Sequence, residues 1–220
     1  MIPMNSTSTD RRPGSRSLTR RNQGERGNTL LEFAVCSVFI IPMLFGTFVL
    51  GMNLTRGIQV TQVCRDSGHM YVRQVDFSQP GNQDMLVRLA QGLGLQRTGG
   101  NGVVILSKMT YIGDAQCTAA GLVGAQCVNR YQHVIMQRIV IGNSAQRSSA
   151  YGTPNSGLLD ASGNVQNYIT ETSARAVNFS NTLTLGPGEL AYVSEAYFPS
   201  PDYDMPGFQT GTGVAARAIF

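Results

Sequence analysis

One uninterrupted apolar run, Leu30–Leu50 (LLEFAVCSVFIIPMLFGTFVL), constrains this chain more than any other feature. As an α-helix rising about 1.5 Å per residue it is roughly 31 Å long, the thickness of a bilayer's hydrocarbon core. No other stretch reaches that length, so the sequence predicts one membrane span over about residues 30–50. A secretory signal peptide has a shorter apolar core, about 7–15 residues, closed by a small-x-small cleavage site. Nothing like Ala-x-Ala follows Leu50, so the run is expected to stay in the membrane. Pro42 lies inside it and predicts a bend, which a membrane helix tolerates better than one in water.

Charge sets the orientation of that span. Residues 1–27 hold Arg11, Arg12, Arg16, Arg20, Arg21 and Arg26 against Asp10 and Glu25, a net +4 that equals the net charge of the whole chain. The remainder is neutral, which removes the electrostatic reason to expect nucleic-acid binding. The arm is rich in Ser, Thr and Pro and reads as a solvated tail. Its position directly before the span gives it a second meaning, because basic residues hold that flank in the cytoplasm.

Glu32 is the one carboxylate in the run. Such a group costs about 2.5–3.5 kcal/mol at the centre of a span and less near an end. It reads either as an interfacial acid favoured by the positive helix N-terminus or as a functional polar group. Its neighbours sharpen the second reading. Arg26-Gly27 precedes Asn28-Thr29-Leu30-Leu31-Glu32, placing the glutamate fifth from Asn28. A basic leader, a Gly and a Glu five residues later at the start of an apolar helix resembles the processing site of type IV prepilins. That resemblance implies cleavage by a prepilin peptidase between Gly27 and Asn28, where a residue without Cβ can lie extended in a narrow protease site. It also implies that Glu32 of one subunit neutralises the freed amino group of a neighbour, since an unpaired charge in lipid is costly.

The stretch Arg26-Gly27, Leu31-Glu32-Phe33-Ala34, Pro42, Phe45-Gly46, Gly51 and Gln62-Val63-Cys64-Arg65-Asp66 resembles the TadE-like family over roughly residues 26–70. It departs from that family's pattern at Val63-Cys64, where alanines are usual, at Asp66, where Glu is usual, and in Pro42, which sits later than the pattern places it. The resemblance implies a minor pilin-like component of a tight-adherence (Flp-type) pilus or its assembly apparatus, contributing to surface adhesion. Glu32 and Phe33 are the assembly residues it implies. Its implied partners are inner-membrane lipid, a prepilin peptidase and other pilus subunits.

Three regions are expected: a basic cytoplasmic leader over 1–27, a long helix over 28–76, and an exported domain over 77–220. Helical spacing continues past the span through Leu54, Ile58, Val60, Thr61, Val63, Cys64, Met70 and Val72. Gln79-Pro80-Gly81 marks a turn, and Asp84–Ala90 predicts a short helix started near Asn82 and ended by Gly92 and Gly94. Beyond Gly102 the pattern becomes β-rich. Val103–Ile112 and Tyr131–Ile141 predict strands, the second apolar on both faces and therefore central in its sheet. Glu189–Phe198 and Val214–Phe220 predict two more, with a Pro-rich excursion over Pro199–Pro206. Residues 143–165 read as an exposed loop and Val165–Val177 as a short helix. The fold class is thus α+β, a long N-terminal transmembrane helix extending into a soluble domain with a short helix and an antiparallel sheet.

Cys117 and Cys127 lie in the loop between the first two strands. They read as a disulfide in an oxidising compartment, worth under about 3 kcal/mol, with free thiols as the alternative. Metal ligation lacks the Cys-x2-Cys spacing and a nearby His. Cys36 falls in the apolar run as a small hydrophobe, leaving Cys64 reduced or paired between subunits.

No catalytic constellation is visible. His69 and His133 lack Asp, Glu or Cys partners at metal or triad spacing and read as structural. Asp202 and Asp204 fall short of a calcium loop. Gly99-Gly100-Asn101-Gly102 lacks the ending of a phosphate loop, and Pro154-Asn155-Ser156-Gly157 is not a nucleophile elbow. The sequence therefore predicts no enzyme, no cofactor, no metal and no small-molecule substrate. The competing expectation is an uncleaved, signal-anchored periplasmic binding module.

Overall fold

The computed structural model describes residues 25–200 and 213–220, with side chains from residue 29. The basic arm before Glu25, and Asp202 and Asp204, lie outside the described residues. The described residues divide into two compact units, the first ending at Phe45 and the second running from Gly46. Helix α1 (Glu25–Val72) contributes residues to both.

In the first unit, α1 is apolar on every side and exposed from Leu30 through Leu44 at nearly every position. In the second unit its character changes. Val60, Val63, Cys64, Ser67 and Tyr71 are buried, a spacing of three and four residues that makes one stripe along a 3.6-residue helix. Leu54 and Ile58, which the sequence pattern assigned to the same apolar face, are exposed.

The helix ends at Val72, short of the expected 76. Val75 N–H donates to Met70 O (3.1 Å) and Gln74 N–H to Tyr71 O (3.0 Å), with Gln74 left-handed at φ 63°. This is a Schellman ending with Gln where Gly is usual, so no composition signal announced it. Helix α2 (Pro80–Leu89) begins at the residue read as a turn, because proline's missing N–H is harmless in the first helical turn.

Strands β1 (Val103–Tyr111), β2 (His133–Gly142), β3 (Leu190–Pro199) and β4 (Gly213–Ile219) form one antiparallel sheet in the order β2-β1-β3-β4. One face carries Val104, Leu106, Ile139, Ile141, Ala196 and Phe198 against the stripe of α1 and against Leu86 and Ala90 of the α2 region. A small polar contact pins α1 to β3: Ser67 and Ser194 hydroxyls lie 2.8 Å apart, and the Cys64 thiol donates to Ser194 O at 3.2 Å. Gly68 is required here. A Cβ at that position would sit 2.3 Å from the ring of Phe220.

The opposite face corrects three expectations. First, β2 is an edge strand, not a central one. Most of its apolar residues are nevertheless buried, with Val140 exposed, and the segment 163–176 is bonded to its outer edge at both ends. Arg138 N–H donates to Gly163 O, Val165 N–H to Met136 O, and Ala176 N–H to His133 O, at 2.7–2.8 Å. Second, Val165–Val177 is not a helix; it holds a single 3-10 turn over Thr172–Ala174, since Val165 and Ala176 N–H at its two ends pair with β2 while Gln166 and Val177 N–H donate to Leu158 O and Tyr151 O. Third, the segment 143–165 is not wholly exposed. Tyr151 and Val165 are buried, and with Phe179 and Leu185 they pack on Met109, Ile135, Ala191 and Val193. The architecture is a sheet between a helical layer and a layer of irregular chain.

Candidate functional site

Two regions carry the residues of interest, one in each unit. In the first, Gly27 and Asn28 lie in the first turn of α1, and Glu32 and Phe33 one turn further on. Glu32 is exposed, as are the flanking Leu30, Leu31 and Phe33. Phe39 is 73% exposed and Met43 74%, values that a side chain covered by protein never shows. Among the described residues, α1 is the one helix long and apolar enough to cross a membrane. Cys36 lies on this exposed surface.

In the second unit, Cys117 of helix α3 (Asp114–Ala119) and Cys127 are joined by a disulfide, with Cα atoms 5.7 Å apart. It closes the connection between β1 and β2 beside Ile112 and Val134. Arg130 and Tyr131 both donate to Asp114, which holds its carboxyl below the usual range. Cys64 is a free thiol, buried between α1 and β3, where burial raises its pKa. A thiol so placed is a packing group, not an exposed nucleophile.

Neither histidine has a metal-ligand set around it, and no group of three His, Cys, Asp or Glu capable of holding an ion occurs among the described residues. His69 packs against Phe220 with ring centroids 4.5 Å apart and the rings tilted by 55°. His133 is packed between Tyr111 and Phe179, and its Nε2 accepts a hydrogen bond from Leu185 N–H at 3.3 Å. Burial lowers its pKa.

Sequence reasoning missed a charged cluster under the irregular layer. Arg138 of β2, Glu195 of β3 and Arg217 of β4 project onto one face. Arg217 Nη2 lies 3.3 Å from Glu195 Oε1 and Arg138 Nη1 lies 4.0 Å from Oε2. The Glu195 carboxylate also accepts from Ser149 Oγ and from Ala150 N–H at 3.1 Å. Arg138 donates through Nη2 to Gly152 O at 2.6 Å, while its Nε and Nη1 and the neighbouring Ser107 Oγ make no hydrogen bond. Burial pushes the Arg138 guanidinium down to about 10, against the pull of Glu195. Beside this cluster the rings of Tyr151 and Tyr197 lie under Arg217 and Arg147, at 4.6 and 5.3 Å from the guanidinium carbons. The available signal was Arg138 itself, the one formal charge in the largely apolar strand His133–Gly142.

Comparison with protein-family models, curated proteins and solved structures finds no match to this chain.

Proposed function

We propose that this chain is a single-span, pilin-related membrane protein of the TadE-like kind, a structural subunit of a tight-adherence pilus or its assembly apparatus. The observation that carries the reading is the all-round exposure of apolar side chains along α1 from Leu30 to Leu44. Water would penalise that surface by roughly 25 cal/mol per Å² of apolar area, whereas lipid or the helices of neighbouring subunits would cover it.

In this reading the arginine-rich arm stays in the cytoplasm and the sheet domain is exported, as the positive-inside rule requires. Hydrolysis of the Gly27–Asn28 peptide bond by a prepilin peptidase then removes six arginines and leaves an α-amino group on Asn28. Glu32 and Phe33 lie one turn from that new terminus. Glu32 of one copy pairs with the amino group of the next, neutralising two charges that lipid would otherwise penalise. Phe33 contributes apolar contact at the same level of the helix. The partners are therefore membrane lipid, the processing peptidase and other pilus subunits.

The test is the mass of the mature N-terminus in full-length protein extracted from membranes. A chain beginning at Asn28, and reverting to the full arm when the host's prepilin peptidase is deleted, is the expected result. An intact arm in a host that trims its other pilins overturns the reading in favour of an uncleaved, anchored periplasmic module. Glu32→Ala is expected to insert normally but fail to co-assemble, measured as loss of sheared surface filaments. Normal assembly of that variant excludes the charge pairing.

A further inference from the structure

We propose that the sheet domain carries a receptor cleft for a carboxylate, built on the Arg147, Arg217 and Glu195 side chains. The cleft has a volume of about 230 Å³, and its walls include Val103, Ile105, Tyr197 and Ala215 together with those three charged residues. It lies on the sheet face opposite α1 and is independent of the membrane reading.

Three features point to an organic anion. Among the described residues the local charge is unbalanced: three guanidiniums, of Arg138, Arg147 and Arg217, stand against the single carboxylate of Glu195. Glu195 is already occupied, accepting from Ser149 and Ala150 and paired with Arg217 and Arg138, so it offsets one positive charge of the cluster and makes no ion pair with Arg147. Arg147 makes no ion pair among the described residues. The second feature is orientation. Arg147 lies over the Tyr197 ring and Arg217 over the Tyr151 ring, and because Arg217 Nη2 is already paired with Glu195, the N–H groups of Arg147 are the ones left to bind. A stacked guanidinium presents a rigid planar fork that matches a carboxylate with two parallel hydrogen bonds. The third is the wall chemistry. Val103 and Ile105 are buried apolar residues, which favour a ligand with a carbon skeleton behind its charged head. Inorganic phosphate has no such body. A short dicarboxylate or the side chain of a glutamate on a neighbouring protein has one.

The test uses the full-length chain in detergent micelles, titrated with succinate, with an acetylated and amidated glutamate, and with inorganic phosphate, and read by isothermal calorimetry. Saturable binding of succinate identifies a free small acid; binding of the glutamate compound alone identifies a protein side chain. Both outcomes uphold a carboxylate site. Arg147→Ala is expected to weaken binding at least about tenfold, the loss of one bidentate pair. Arg147→Lys, which keeps the charge but not the fork, is expected to fall between the two. Arg147 is exposed on a loop, so neither change threatens the fold. Absence of saturable binding by either carboxylate, phosphate binding as tight as succinate, or unchanged affinity in Arg147→Ala overturns the proposal.

Discussion

Residues 30–44 and residues 60–71 belong to the same helix, yet the first stretch turns Leu30, Phe33, Phe39 and Met43 outward while the second buries Val60, Val63, Cys64 and Tyr71. Polar groups follow the reverse logic. Glu32 is exposed, whereas Ser67 is fully buried and made tolerable by the hydroxyl of Ser194. Backbone hydrogen bonding is common to both stretches and explains neither. What differs is periodicity: a stripe with three- and four-residue spacing needs one apolar neighbour, and an apolar surface on all sides needs an apolar medium. The comparison is sharpened by truncating one large aromatic in each unit. Phe179→Ala removes a fully buried ring from the core and should lower unfolding stability by about 3–5 kcal/mol. Phe39→Ala removes a ring with no protein cover and should change it by less than about 0.5 kcal/mol. Urea unfolding in micelles, followed by near-ultraviolet circular dichroism, measures both. Comparable losses would break the distinction.

A charge gives the next largest effect and acts on the other unit. Ile40→Arg places a guanidinium near the middle of the Leu30–Leu50 run, at a cost of about 2.5–3.5 kcal/mol for insertion. The carbonate-resistant membrane fraction should fall while the aromatic spectrum of the sheet domain stays unchanged. Gln62→Arg, at an exposed position of the same helix within the second unit, should alter neither. If both arginines were equally tolerated, the apolar run would not be a span.

Much of this division was legible before any coordinates. The apolar run needed only its length, and four strands were placed within a few residues because β-branched runs punctuated by Gly and Pro leave little choice. The failures share a physical cause. The end of α1 depends on Gln74 adopting a left-handed conformation, which composition does not mark. The Val165–Val177 segment has helical spacing, but its two ends are tied to β2 through Val165 and Ala176 N–H, and tertiary pairing overrides local pattern. The same pairing explains why an edge strand carries the apolar sequence of a central one. As for candidate sites, Glu32 stood out because it interrupts an apolar run. Glu195 and Arg217 did not, because their partnership with Arg138 exists only across three strands.

The smallest expected effect concerns His133, whose surroundings in the sheet domain contrast with the exposed surface of α1. Tyr111 and Phe179 flank its ring, and Leu185 N–H donates to Nε2, so the structure requires the neutral imidazole. Burial accordingly depresses its folded pKa below the ordinary value. A group depressed in this way is protonated more readily in the unfolded chain, so acid favours unfolding. Its contribution is whole above the ordinary histidine pKa of about 6.5 and is lost as pH falls through the lower folded value. His133→Gln supplies an uncharged amide oxygen as acceptor for Leu185 N–H and cannot gain a proton. Thermal midpoints compared between about pH 8 and about pH 5 should therefore decline less steeply in the variant than in the native chain. Parallel profiles would mean that carboxylates such as Asp114, whose pKa is lowered by Arg130, set the acid response instead. Their loss would set in at a lower pH, which separates the two causes on the same titration.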